Sequence, residues 1–493
     1  MTASVDQERA PIFATLAGYA RSGIYGFHTP GHKGGRFAAP ELAQLVGKSG
    51  LALDLPAMTA TDNTFHPAGC IREAQQLAAG LFGARATFFL SAGSTLGVAA
   101  ALLATVPQGR TVALPRNIHR SVVAGLVLSG ALPRFVPHEV RPECGALGVS
   151  ATALVAALDT DPRPAAVLLT RPSYYGLARE LDDLVAVCRD RRVPLIVDEA
   201  HGAHLHFLPA NCPPPALAAG ADLVVQSWHK TLGTLVGSAQ LHVGRQSLIE
   251  PGRVQEALNF LQTTSPSFLL LASLDVMRRW LWRDGVKLFA TAVEEARLLE
   301  DQIDAMPGLR VFRPEADPRL ADHRRDPLRL VVNVSGTGWS GYEVERYLRT
   351  EFRVEDEMAD WFNVVYVLSP HDDPAARERL VSGLRSISEN PRQRAGSSPT
   401  PAESTTNLLQ PPIPPLAMPP RKAALAPKTT LSLASAAGRT CAEMVMFYPP
   451  GIPLLMPGEM ITRETIDVCR QLLAAGAHPY ATDATLETVR VVE

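Results

Sequence analysis

Four polar segments of this 493-residue chain hold residue types that can do chemistry: Ser91-Ala-Gly-Ser-Thr-Leu-Gly97, Arg116-Asn-Ile-His-Arg-Ser121, Asp198-Glu-Ala-His-Gly-Ala-His204 and Ser227-Trp-His-Lys230. Gly93, Ser94 and Thr95 begin an Ala/Leu-rich helical stretch, where small residues, hydroxyls and first-turn N–H groups suit a phosphate monoester. The same residues are also ordinary helix caps. The segment is not a P-loop, because G-x-x-x-x-G-K-[ST] does not occur, and not a nucleophile elbow, because Thr95 occupies the serine position of G-x-S-x-G. Asp198 follows Pro194-Leu-Ile-Val197, so its carboxylate emerges at the top of a buried strand, where an unpaired charge costs several kcal/mol. It needs a cationic partner, whether in a site, in a structural ion pair or at a helix cap. Lys230 also follows a buried run; a desolvated lysine gives up its proton and can form a Schiff base, although an exposed structural lysine fits the pattern equally. His201, His204 and His206 share one loop beside Gly202 with no second ligand set, so no metal is expected.

The elements that must position these groups follow from apolar patterning. Thr111-Val-Ala-Leu114, Ala165-Ala-Val-Leu-Leu169, Pro194-Leu-Ile-Val197 and Asp222-Leu-Val-Val225 read as buried parallel strands, each ending in polar residues. Leu181, Leu184, Val185 and Cys188 have the spacing of a crossover helix over 181–192. This is a doubly wound α/β domain, with functional groups expected at the carboxyl ends of its strands. A long helix over 266–303 leads to a smaller α+β domain with strand candidates at Leu328 to Val334 and Val364 to Leu368.

Composition excludes several classes. Lys plus Arg number 47 against 49 Asp plus Glu, a formal charge of −2, so no basic field is present for nucleic acid. Six well-separated cysteines lack zinc, redox or disulfide-framework spacing and fit reduced thiols in the cytoplasm. No leader-like h-region or membrane-length apolar run is found, so export and membrane insertion are not expected. The 41 prolines exceed the average usage of about 5% and concentrate between Pro391 and Pro427 with Ser, Thr and Ala, which reads as an extended linker.

A phosphate cradle, a strand-end Asp and a later strand-end Lys are together the parts that hold pyridoxal phosphate. The arrangement resembles the aspartate-aminotransferase-like, fold-type-I pyridoxal phosphate enzymes. Phe27-His-Thr-Pro-Gly-His-Lys-Gly-Gly35, Asp62 with Pro67 to Gln75, Thr170-Arg-Pro-Ser-Tyr-Tyr-Gly176, Thr263-Thr-Ser-Pro-Ser267, Tyr448-Pro-Pro-Gly-Ile-Pro453 and Pro457-Gly-Glu459 narrow the likeness. With the Asp198 and Lys230 segments, they resemble the bacterial ornithine/lysine/arginine decarboxylase family, and in particular its shorter members that lack an N-terminal receiver-like domain.

The resemblance implies that Gly93, Ser94 and Thr95 cradle the cofactor phosphate, with Ser227 and His229 in support. It also implies that His119 stacks on the ring, Asp198 pairs with the ring nitrogen, Ala200 lies against the ring, His201 lies near the ring hydroxyl and Lys230 is the Schiff-base residue. Lys230 or His229 would return a proton to the α-carbon. Thr264 would reach the cofactor phosphate of a neighbouring subunit, making a homodimer the smallest active unit. Asp62 and Glu459 are candidates for the anionic end of the pocket for a basic side chain, and a cap or salt-bridge role fits each equally. His28, His32 and Lys33 would shape the pocket entrance, or form part of a Gly-rich surface arm.

The expected fold class is therefore α/β: an aspartate-aminotransferase-like pyridoxal phosphate-dependent transferase fold, a small α+β domain and a C-terminal module. The expected divisions are an N-terminal arm over 1–40, a cofactor domain over 41–285, a small domain over 286–390, a linker over 391–430 and a C-terminal module over 431–493. The function implied is decarboxylation of arginine, lysine or ornithine to an amine and carbon dioxide, in polyamine metabolism. Transamination or aldol cleavage on the same fold, and a catalytically silent regulatory protein, are the alternatives. The silent reading expects a missing lysine or aspartate, and both are present. Pro449, Pro450 and Phe447 mark a C-terminal block whose docking across the linker is the least predictable part of the chain.

Overall fold

Unbroken apolar runs become strands, and Pro-initiated or Gly-terminated amphipathic stretches become helices. In a computed structural model describing residues 6–141, 144–392, 412–448, 451–474 and 476–493, the first half runs α1 (Pro11–Arg21), α2 (Cys70–Phe82), β1 (Ala86–Leu90), α3 (Gly93–Thr105), β2 (Thr111–Leu114), α4 (Arg120–Ser129), β3 (Leu132–Phe135), β4 (Ala166–Thr170), α5 (Asp182–Asp190), β5 (Leu195–Asp198), β6 (Leu223–Ser227) and β7 (Ala239–Val243). The second half runs α6 (Pro251–Leu261), α7 (Phe268–Asp304), β8 (Arg329–Asn333), β9 (Asn363–Val367), α8 (Pro374–Glu389), α9 (Pro420–Leu425), β10 (Lys428–Ser432), β11 (Val445–Tyr448), β12 (Pro453–Leu455), α10 (Arg463–Ala474), β13 (His478–Tyr480) and β14 (Thr488–Val492).

The chain divides into two units. The first comprises Met1–Thr105, Pro194–Phe207 and Pro215–Val286; the second comprises Val106–Val193, Leu208–Pro214 and Lys287–Glu493. The division interleaves the chain where the sequence reading expects consecutive domains, because a doubly wound chain returns to each sheet region several times.

In the first unit β1, β7, β6 and β5 are successive neighbours: β1 and β6 lie antiparallel to β7, and β6 runs parallel to β5. All but the first residue of this strand set are buried, and α3 packs on β1, β6 and β7. Gly97 permits that approach, because a Cβ there would stand 2.7 Å from Val225 Cγ1 and 2.8 Å from Leu90 Cδ1. Helix α1 has no side-chain cap of its own; the buried Asp275 of α7 serves, accepting from Ile12 N at 2.8 Å.

In the second unit β4, β2 and β3 form a parallel set, and β8 and β9 pair antiparallel over a core that includes Leu299, Ile303, Leu330, Val364 and Leu384. The C-terminal part pairs β10 with β14 and β11 with both β12 and β13. Its core includes Val445, Phe447, Ile461, Cys469 and Val491. Two of its elements correct the expected linker: α9 and β10 both begin before residue 431, and α9 packs on α4. Pro420 heads α9, a place where a missing N–H costs nothing, so a proline count marks a helix start as readily as an unstructured chain. The remainder of that proline-rich stretch, 393–411, and Pro449 and Pro450 lie outside the described residues. Among the described residues, no helix is long and apolar enough to cross a membrane.

Gly97→Val should cost about 1–3 kcal/mol of stability, the range for overpacking a filled core, and lower the thermal unfolding midpoint. An unchanged midpoint would show that α3 does not depend on this close approach.

Candidate active site

The first unit gathers the strand-end residues. Asp198 closes β5 and is 3% exposed, with Oδ1 accepting from the Ala200 N–H at 3.2 Å. Burial pushes its carboxyl above the ordinary range, and the charge of Lys230 pulls it back only in part. Lys230 lies on the short helix Trp228–Thr231 that continues β6, and its Nζ is 3.0 Å from His201 Nε2. At the start of α3, the Ser227 hydroxyl donates to Ser94 Oγ at 2.7 Å, while the Gly93 N–H is bound to the Gly237 carbonyl. Gly93 has φ +71° and Thr95 is exposed, so the first turn of α3 presents a small residue and a hydroxyl beside unsatisfied amides. His229 Nδ1 lies 2.8 Å from the Ser238 carbonyl, which fixes the proton on Nδ1.

These residues fit pyridoxal phosphate. The phosphate matches the helix start with its Ser94–Ser227 pair, the aldehyde matches Lys230, and the basic ring nitrogen supplies the cation that a desolvated Asp198 requires. His206 does not belong to this set: it packs on Phe82 at 4.6 Å between ring centroids, and among the described residues no three His, Cys, Asp or Glu side chains converge as metal ligands would. His28 Nε2 is 2.7 Å from the Tyr19 hydroxyl and His32 Nε2 is 3.1 Å from Asp54 Oδ2, so both are held within the N-terminal segment. Thr264 is exposed on the loop between α6 and α7.

Asp62 and Glu459, the candidates for the anionic end of the pocket, each make the contacts of a cap or salt bridge. Asp62 accepts from the backbone N–H groups of Asn63, Ala68, Gly69 and Ile71 at 2.8–3.0 Å, an anchor for the start of α2 that fills the carboxylate with amides. Glu459, in the second unit, is fully buried in a bidentate pair with Arg116, Oε1–Nη1 2.6 Å and Oε2–Nη2 3.0 Å, and accepts from Met456 N at 2.8 Å. Gly458 lets this turn form: its φ is +95° and a Cβ would stand 2.3 Å from the Met418 carbonyl. His119, in the same unit as Arg116, caps α4, with Nδ1 accepting from Ser121 N at 3.2 Å.

One group escaped the sequence reading. Glu199 Oε2 accepts from Gln226 Nε2 at 2.7 Å, Gln226 Oε1 pairs with His242 Nε2 at 3.1 Å, and His242 Nδ1 pairs with Thr87 Oγ1 at 2.8 Å. Polar residues inside the buried runs Leu223-Val-Val-Gln-Ser227 and Ala239-Gln-Leu-His-Val243 were the available signal.

With this geometry in place, comparison with known proteins is direct. The Orn/Lys/Arg decarboxylase major-domain model matches residues 10–376, and the C-terminal-domain model of the same family matches 405–478. The chain belongs to the Orn/Lys/Arg decarboxylase family. It is 36% identical over 489 residues to an arginine decarboxylase of Halalkalibacterium halodurans, covering 99% of this chain and 98% of that one. It is likewise 36% identical over 491 residues to an arginine decarboxylase of Bacillus subtilis, covering 99% of each. The structure of the Escherichia coli constitutive lysine decarboxylase superposes with a TM-score of 0.82 at 20% identity, covering 99% of this chain and 82% of that one. An alanine–glyoxylate aminotransferase from Nostoc superposes at 0.52, covering 71% and 92% at 18% identity, which places the fold in the aminotransferase-like class. This family member is thus a pyridoxal phosphate-dependent carboxy-lyase acting on a basic amino acid, as the sequence reading expects. Its C-terminal family match starts at 405, inside the stretch that composition marks as linker.

Two predictions follow from these environments. Because burial raises the folded-state pKa of Asp198 above its unfolded value, ionising it in the cofactor-free decarboxylase lowers stability as pH rises through the folded value. Asp198→Asn removes this penalty, so its unfolding midpoint should exceed the parent's at pH 8, with the gap closing toward pH 4 in a thermal titration. Removing Glu459 alone strands a buried Arg116, so Glu459→Ala should cost about 3–5 kcal/mol, whereas the Arg116→Met/Glu459→Leu double variant should unfold near the parent's midpoint. A normal midpoint with a raised KM in Glu459→Ala would instead assign it to the substrate pocket.

Proposed function

We propose that this chain decarboxylates arginine to agmatine, with Lys230 as the covalent anchor of the cofactor. The observation that carries the catalytic reading is Lys230 beside His201 and within the field of a buried Asp198. Arginine is favoured over lysine and ornithine because relatives named arginine decarboxylase reach 36% identity, whereas the constitutive lysine decarboxylase of Escherichia coli stands at 24% over 571 residues. Agmatine is a polyamine precursor, which gives the reaction a place in polyamine metabolism.

Pyridoxal phosphate held at this site supplies the electron sink for the carbon that loses carbon dioxide. Asp198, desolvated and steadied by the Ala200 N–H, would keep a proton on the ring nitrogen by facing it with a buried carboxylate. Ser94 and Thr95 would bind the phosphate with their hydroxyls and α3's first-turn amides, Gly93 leaving room beside them and Ser227 fixed to Ser94 behind them. His201 orients the Lys230 amine through their 3.0 Å contact. Lys230, or His229 through the nitrogen opposite its Ser238 bond, delivers the proton that replaces the departing carboxylate.

A homodimer is the proposed working unit. Thr264 is exposed on its loop, as suits a residue that completes a site in a second copy, and Phe260 at 84%, Val236 at 83% and Phe27 at 97% exposure give this unit apolar surface to bury. All six cysteines are buried thiols, in keeping with a cytoplasmic enzyme.

Offered arginine, lysine and ornithine separately, the holoenzyme should yield agmatine at least about tenfold faster than cadaverine or putrescine by kcat/KM. Lys230→Ala should lose the visible absorbance of the bound cofactor and at least about a thousandfold in rate. Comparable rates for the three amines would sink the arginine assignment, and retained decarboxylation in Lys230→Ala would sink the mechanism.

A further inference from the structure

Strands β5, β6, β7 and β1 are joined by side chains as well as by backbone. Thr87, Gln226, His242 and Glu199 are each no more than 3% exposed, and they form the chain of hydrogen bonds from Thr87 Oγ1 through His242 and Gln226 to Glu199. Glu199 Oε1 also accepts from Ala216 N at 2.8 Å, so the ladder ends on a carboxylate with a donor at each oxygen. The carboxylate accepts, so the Gln226 amide must turn its N–H toward it and its Oε1 toward His242. His242 then donates from Nε2 and accepts the Thr87 hydroxyl at Nδ1. That tautomer is neutral, and burial holds the imidazole neutral down to a pKa of about 3.

Apolar residues would fill these positions without the cost of drying four polar groups. What the ladder adds is direction: each side chain has one orientation that satisfies its neighbours in the chain of bonds. Two of its members sit next to site residues. Gln226 precedes Ser227, and successive side chains on a strand face opposite ways, so a Gln226 locked into the ladder leaves Ser227 facing Ser94. Glu199 follows Asp198; with its side chain tied to Gln226 and its N–H donated to the Val225 carbonyl at 2.9 Å, it pins the end of β5 on β6 just where Asp198 emerges.

We propose that Thr87, His242, Gln226 and Glu199 are positioning residues that hold Asp198 and Ser227 in the geometry that receives pyridoxal phosphate. The inference rests on the reading of Asp198 as the ring-nitrogen partner, and the test separates the two. Cofactor dissociation constants and visible circular dichroism of the bound cofactor are measured for the full chain, His242→Leu, Asp198→Asn and the combined variant. His242→Leu should weaken cofactor binding about tenfold and change the visible dichroism, yet add less than about twofold once Asp198 is already Asn. An equal effect in both backgrounds overturns the positioning role while leaving Asp198 as the cofactor's partner. An Asp198→Asn variant with parental affinity and dichroism overturns the site reading, and the inference with it. If His242→Leu does not fold, Thr87→Val, which keeps the shape and removes only the donor to Nδ1, should weaken binding about threefold; parental affinity in that variant overturns the inference.

Discussion

Asp198 is 3% exposed, and a carboxylate held there costs free energy unless a cation faces it. Much of the first unit follows from that constraint. Strand β5 must be buried on both faces for its end to be dry, which is why its sequence is an unbroken Leu-Ile-Val run. Strand β6 runs parallel beside it, so the helical turn that follows β6 brings Lys230 to the same end of the sheet. Lys230 offsets part of that charge; in the proposed function a protonated ring nitrogen of the cofactor would offset the rest, and the desolvation of Asp198 would strengthen its hold on that proton.

The phosphate site proposed at the start of α3 obeys a different rule. Its donors would be backbone amides of the helix's first turn, so its precision would depend on how closely that helix lies on the sheet. Gly97 sets the distance, and the Ser227–Ser94 bond joins helix to strand at the point where the amides begin. A side chain at residue 97 and a lost hydroxyl at 227 would act on the same quantity, the separation of α3 from β6. The site is therefore fixed by two supports of different kind, packing on the α3 side and a polar ladder running through Gln226.

How much of this could be read from the sequence depended on whether chemistry and patterning agreed. Four of the sheet strands announced themselves as apolar runs, and the long helix and the small-domain strands were legible from period and length. Strands β1, β3 and β7 carry no such signal. In β7, Gln240 and His242 break the run, and only the partners on neighbouring strands make a buried histidine acceptable. Asp198 and Lys230 were legible because a charge directly after an apolar run has few explanations. Asp62 and Glu459 are ambiguous for the converse reason: an acidic residue in a Gly/Pro-rich turn has several uses, and the donors around each oxygen come from elsewhere in the fold.

The C-terminal part shows why composition is a poor guide to where a domain begins. Proline and alanine over 412–427 look like more linker, yet α9 within them packs on α4, and Arg421 Nη1 donates to the Leu128 carbonyl at 2.7 Å near the helix's C-terminal end. At the other end of α4, Arg120 lies over the Tyr480 ring at 4.9 Å, and just before it Arg116 enters the Glu459 pair. Three contacts from widely separated C-terminal residues therefore grip one helix and the segment leading into it. Apolar docking alone would leave such a surface free to slide by a turn, whereas a bidentate arginine fork accepts one orientation. The buried pair is better understood as fixing where the C-terminal module sits than as adding to how tightly it is held, and His119, which caps α4 between these contacts, inherits that fixed position.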